Sequence, residues 1–161
     1  MNFFDNCDNS TLELKYGIEV RDSLGYFSFQ IPDSTWKPLR FLSEKENGLT
    51  VGDTSEGYMR FFNVNQSNYT EYWDWEEEQK NVELNFYVVE SGEISLNGQK
   101  RKYNLVLHEE DSPQMISFYV TVLDTIRKRM YTLNLVTEYS EQYQTRICKM
   151  KPLMESFKIE N

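Results

Sequence analysis

Residues 114–138 read QMISFYVTVLDTIRKRMYTLNLVTE, and the rest of the chain is organised around them. In the first half apolar side chains occupy both parities, Ile116, Phe118, Val120 and Val122 on one and Met115, Tyr119 and Leu123 on the other. Successive side chains of a strand point to opposite faces, so apolar side chains fill both faces of this run. A basic turn, Thr125 to Arg129, leads into a second run in which Tyr131, Leu133 and Leu135 alternate with Thr132, Asn134 and Val136. Together the two runs predict a β-hairpin at the centre of a sheet.

Upstream, Lys100 to Leu107 alternates in the same way and follows Asn97-Gly98, two residues that both accept the positive φ of a type I′ turn. Val82 to Val89 and Glu93 to Leu96 read as strands, or as one bent strand broken at Ser91-Gly92. Tyr58 to Val64 is apolar on both parities and predicts another covered strand. Near the start, Leu12, Leu14, Tyr16, Ile18 and Val20 alternate with polar residues, and Phe27, Phe29 and Ile31 of the return strand face inward. Trp36, between Pro32 and Pro38, is expected to plug one end of the core, and Glu44 to Gly57 reads as loop with an edge strand at Leu49 to Val51.

Two helices complete the pattern. Asn68 with Glu71 has the spacing of a capping box and predicts a helix over 69–80 that lays Tyr69, Tyr72 and Trp73 on the sheet, with Trp75 at the edge of the stripe. Near the end Tyr143, Ile147, Met150 and Met154 fall at helical spacing, and Pro152 is expected to kink or restart that helix. The sum is an α+β fold, an antiparallel sheet of about seven strands flanked by a central and a C-terminal helix. Residues 1–10 read as a flexible N-terminal arm and 11–161 as a single domain.

Composition bounds the function. A chain of 161 residues that is 39% hydrophobic and 15% aromatic has the material for one packed core. Its net charge of −9 repels phosphate backbones, which excludes nucleic acid as a general partner. No run approaches the roughly 20 apolar residues of a membrane span, and MNFFDNCDNST lacks the basic and apolar regions of a signal peptide. The chain as given therefore reads as soluble and cytoplasmic, or as periplasmic or lipid-anchored if a leader is removed. Cys7 and Cys148 read first as two reduced thiols. A long-range disulfide tying the arm to the last helix and a lipid-anchored Cys7 are the alternatives.

Four stretches also resemble the PsbP-like family, bacterial members of which have unassigned roles. FSFQIPDSTWKP at 27–38 is similar to that family's entry segment, and GEISLNGQKRKYNLVL at 92–107 to its Asn-Gly hairpin. YVTVLDTIRKRMYTLNLVTE at 119–138 is similar to its last hairpin, and MKPLMESFKI at 150–159 to its closing helix. The resemblance implies an α+β sandwich, shared with a Ran-binding nuclear import factor, and brings no shared catalytic residues. A residue inserted after Asp33 and the proline at 152 depart from the family pattern.

Few residues carry chemistry. His108 is the only histidine and stands beside Glu109, Glu110 and Asp111, either a cation site or a solvated acidic turn. No glycine-rich phosphate loop and no triad-like arrangement occurs, and no cofactor is implied. Trp75, flanked by acids, is a candidate exposed anchor, with Tyr72 beside it. Lys100, Arg101 and Lys102 with Arg127, Lys128 and Arg129 form a basic counterpatch if two hairpin ends lie close together. These eight residues are the candidate partner-binding set of a non-enzymatic accessory or adaptor protein that binds a protein partner. A carrier holding a small apolar ligand or lipid between sheet and helices is the alternative, and a cation-dependent hydrolase using the acidic loop the third option.

Overall fold

The hairpin of residues 114–138 lies in the middle of the larger of two sheets. The computed structural model describes residues 3–7, 11–39, 47–70 and 72–160. In chain order the elements are a 3₁₀ turn at Phe3–Asn6, β1 (Ile18–Arg21), β2 (Phe27–Ile31), β3 (Lys37–Pro38), β4 (Asn47–Asp53) and β5 (Arg60–Asn68). Then come α1 (Trp75–Asn85), β6 (Tyr87–Leu96), β7 (Gln99–His108), β8 (Met115–Asp124), β9 (Arg129–Glu138), α2 (Tyr143–Glu155) and β10 (Lys158–Ile159). The seven-stranded sheet has the order β3-β4-β5-β9-β8-β7-β6, and a separate three-stranded sheet runs β1-β2-β10.

Register lines up the apolar parity across the large sheet. Phe62 and Phe118 both face Leu135, Val64 and Val120 both face Leu133, and Leu105 faces Phe118. All of these are essentially inaccessible to water. Phe27 and Phe29 of β2 and Ile147, Met150, Leu153 and Met154 of α2 close over this inner face. Phe3 and Phe4 of the N-terminal stretch pack on Phe118 at ring distances of 4.7 and 5.0 Å. Trp36 plugs one end of the core, buried under the Arg60 guanidinium at 5.0 Å. The Asn97-Gly98 turn has φ of 52° and 78°, the left-handed pair that its sequence predicts.

Several expectations are corrected. The alternating run at Leu12 to Val20 is strand only from Ile18, because the chain turns at Gly17, whose amide bonds the Leu14 carbonyl. A Cβ at Gly17 would come within 2.9 Å of the carbonyls of Leu14 and Ile31. These first strands form their own sheet with β10 and do not extend the large one. β4 spans Asn47–Asp53, and β3 pairs with its outer side at Val51 and Gly52, so that part of it is not an edge.

The central helix starts at Trp75 and not at 69, because β5 continues pairing with β9 as far as Asn68 and the Tyr69 amide bonds the Lys128 carbonyl. Asp74 is its N-cap, accepting from the Glu76 amide at 3.2 Å. Glu71, the other half of the expected capping box, lies outside the described residues. Val82 to Asn85, read as strand, are the end of this helix. The bent strand is one strand, irregular between Val88 and Glu90 instead of at Ser91-Gly92.

α2 runs through Pro152 to Glu155. Its buried arc is broad enough to include Cys148, which is 3% exposed and disulfide-bonded to Cys7. The reading of two reduced thiols and that of a lipid-anchored Cys7 both give way to this bond. Among the described residues no helix is long and apolar enough to cross a membrane.

Candidate functional site

The alternation that buries Phe118 and Leu133 sends the other parity of the same strands to the outer face of the large sheet, and its central stretch there, between Met115 and Val136 at one end and Leu123 and Met130 at the other, is polar. Asn63 lies opposite Asn134, Thr121 opposite Thr132, and Tyr119 opposite both Asn104 and Asn134. α1 crosses this face near β6 and β7 and is held there by a polar contact. The Asn104 side chain donates to Gln79 Oε1 at 2.9 Å and accepts from Gln79 Nε2 at 2.8 Å and from the Ser91 hydroxyl at 2.6 Å. Val82 is the one buried residue of α1. The helix therefore stands off the rest of the sheet, leaving a cleft of 410 Å³.

The cleft has two unlike walls. On the helix side are Trp75, Glu78, Gln79, Val82 and Phe86. On the sheet side Asn65, Thr121, Thr132 and Asn134 form the floor, with Tyr119 and Ser117 beyond them. Asn65 and Asn134 each donate to Asn63 Oδ1, at 2.9 and 3.0 Å, while Asn63 donates to Thr50 at 2.7 Å, so the amides are held as a ladder. Burial, reinforced by the Glu78 carboxylate, outweighs the hydrogen bond with Asn104 and pushes the Tyr119 phenol up to about 12. At neutral pH this phenol is a protonated donor. The Nε2 of His108 lies 2.8 Å from the Ser117 hydroxyl and its ring meets Phe86 edge-on. Among the described residues no three His, Cys, Asp or Glu side chains converge as a cation site would require.

At one end of the sheet the β6–β7 and β8–β9 turns flank the chain that leads into α1. Lys102 of β7 places its ammonium 5.1 Å from the Trp75 ring, Trp75 lies 5.5 Å from Trp73, and Trp73 lies 6.2 Å from Tyr69, whose amide bonds Lys128. Lys100, Lys102 and Lys128 are exposed there. The three arginines are engaged: Arg101, half-buried, donates to Gln99, Arg127 pairs with Asp124 at 2.8 Å, and Arg129 lies 3.6 Å over the Tyr26 ring. Tyr72, expected on the sheet beside Tyr69 and Trp73, is 82% exposed, and Trp75, expected to project, is half-buried at the mouth of the cleft. The reversal follows from the late start of α1, which leaves Tyr72 in the turn before the helix.

Sequence reasoning missed two features of this region. Ile126 is 88% exposed at the tip of the β8–β9 turn, where the Asp124 carboxylate accepts from the amides of Ile126 and Arg127. An isoleucine inside a polar turn is the signal that could have found it. The cleft floor was also missed, although asparagines on the outer parity of central strands run against the usual strand preference for β-branched and aromatic side chains.

The architecture is that of an α+β sandwich, with one face of its sheet closed by the core and the other carrying the cleft. Among solved structures it is similar to the Ran-binding protein Mog1p of Saccharomyces cerevisiae, with a TM-score of 0.60 at 11% identity over 89% of this chain and 95% of that one. A protein of Bacteroides thetaiotaomicron VPI-5482 superposes with a TM-score of 0.62 at 8% identity, over 90% of this chain and 49% of that one, so this chain spans about half its length. A Pseudomonas aeruginosa protein of unknown function superposes with a TM-score of 0.50 at 10% identity, over 79% of this chain and 86% of that one. At these identities the likeness establishes the fold and transfers no residue roles. No protein-family model and no curated protein sequence matches the chain.

Proposed function

We propose that the chain is a non-enzymatic adaptor of the PsbP-like kind that docks onto a protein partner with the end of the sheet carrying Tyr72, Trp75, Lys100, Lys102 and Lys128. The observation that carries this reading is an exposed tyrosine and an exposed isoleucine, Tyr72 and Ile126, set among three lysines on a chain whose net charge is −9. Exposed aromatic and aliphatic anchors ringed by charge are the composition of an interaction surface. The lysines select a partner with an acidic patch and speed its approach. The arginines 101, 127 and 129 act by shaping the two turns. The similarity to a protein that binds Ran supports a protein-binding use of the fold without naming the partner. The reading needs no cofactor, and the Cys7–Cys148 bond favours an oxidising compartment.

A photo-crosslinking amino acid placed at position 72, and at position 16 as a control, tests it in the native host. Tyr16 is 85% exposed and lies at the opposite end of β2 from Tyr26 and Arg129. Position 72 is expected to give a discrete protein adduct that position 16 does not, and Lys100→Glu with Lys102→Glu and Lys128→Glu is expected to abolish it. Equal adducts at both positions, or an adduct indifferent to the charge reversals, sink the reading.

A further inference from the structure

The geometry points to a second binding site, the cleft between α1 and the outer face of the seven-stranded sheet, with a neutral saccharide of mono- to disaccharide size as its ligand. Its volume of 410 Å³ falls within the range of small-molecule sites, about 300–1,000 Å³. The inference is independent of the protein-docking reading, with which it shares only Trp75.

Each class of ligand meets a different fate on these walls. Among the described residues no lysine or arginine lines the cleft, and Glu78 does, so an anion would be disfavoured by this carboxylate and by the net charge of −9. A wholly apolar molecule would strip water from Thr121, Thr132 and Asn134 without replacing its hydrogen bonds, which burial of polar groups penalises. An organic cation would seek the Trp75 ring, where the Lys102 ammonium already sits at 5.1 Å. A sugar ring carries an apolar C–H face and a rim of hydroxyls. Trp75, Val82 and Phe86 on the helix wall match the first, and Thr121, Thr132 and Asn134 on the floor match the second.

The floor is also ordered in advance. Asn134 commits its Nδ2 to Asn63, which fixes the amide and leaves its carbonyl oxygen to accept from a ligand hydroxyl. The Tyr119 phenol adds a donor beside it.

Saturation-transfer NMR on the full chain with glucose, galactose, N-acetylglucosamine and maltose tests the inference, with glucuronate, choline and octanoate as anionic, cationic and apolar controls. At least one neutral sugar is expected to bind and to shift the amide resonances of Thr121 and Asn134. Thr121→Val with Thr132→Val, nearly isosteric, is expected to weaken it about tenfold, as loss of ligand hydrogen bonds predicts. If the valine pair does not fold, the amide shifts of the unmodified chain decide. The inference is overturned if no neutral sugar binds at millimolar concentration, if only choline or octanoate does, or if the sugar leaves Thr121 and Asn134 unshifted. A folded valine pair that binds sugar with unchanged affinity overturns it equally.

Discussion

Asp53 and Arg60 face each other across β4 and β5, joined by Nε–Oδ2 and Nη2–Oδ2 contacts of 3.0 and 2.9 Å, and both are almost fully buried. Burial pushes the Asp53 carboxyl up, but hydrogen bonds from the Ser55 hydroxyl and amide and from Arg60 outweigh it and hold it below the usual carboxylate range. Its folded value is thus below its unfolded value of about 3.9, so the pair's contribution is complete above that pH and is lost as pH falls further. Chemical denaturation as a function of pH is expected to show Asp53→Asn less stable than the parent at neutral pH, with the gap narrowing below about pH 4. Removing the carboxylate leaves Arg60 buried and unpaired over Trp36, at a cost of about 3 kcal/mol. A gap that does not change with pH would remove Asp53 from the acid transition. In the sequence neither residue stands out, because their partnership exists only through the register of β4 and β5.

At the scale of elements, α1 is the least secured. It buries one residue, and its first turn carries Glu76, Glu77 and Glu78, which favour a helix N-terminus electrostatically. Its start depends on Asp74. Asp74→Ala is expected to cost about 1 kcal/mol and to raise amide hydrogen exchange in residues 75–80 while leaving β8 and β9 protected. Uniform exchange throughout the chain would instead make α1 part of one cooperative unit with the sheet. A helix was expected here, but the spacing that predicted it, Asn68 with Glu71 and the stripe of Tyr69, Tyr72 and Trp73, precedes its first residue, Trp75. Residues 68–70 suit either a cap or a strand end, and pairing with β9 decided for the strand.

For the whole molecule, the Cys7–Cys148 disulfide closes a loop of 141 residues, from the 3₁₀ turn to α2. Chain entropy in the unfolded state bounds its contribution at about 5 kcal/mol, and a domain of this size shifts in Tm by about 2–4 °C per kcal/mol. Cys7→Ala with Cys148→Ala is therefore expected to lower Tm by up to about 20 °C in calorimetry. Identical melting of the parent with and without reductant would show that the bond does not hold the N-terminal stretch to the core. The inner side of the large sheet is closed by β2, α2 and this tethered turn, whereas among the described residues the outer side is closed only in part, by α1. That asymmetry is what leaves room for a binding site on one face.

By itself the sequence determined the long strands of the large sheet, the Asn97-Gly98 turn and the central hairpin, since alternation and positive-φ preference are properties of neighbouring residues. It placed Phe27, Phe62, Phe118 and Leu133 in the core for the same reason. Only the tertiary structure decided the division into two sheets, the disulfide, the exposure of Tyr72 and the cleft. Those depend on long-range register, which brings Gln79 to Asn104 and Asn63 to Asn134 from distant parts of the chain. No local pattern encodes a meeting of that kind, because each partner alone is an ordinary polar residue on the outer parity of a strand or on one side of a helix.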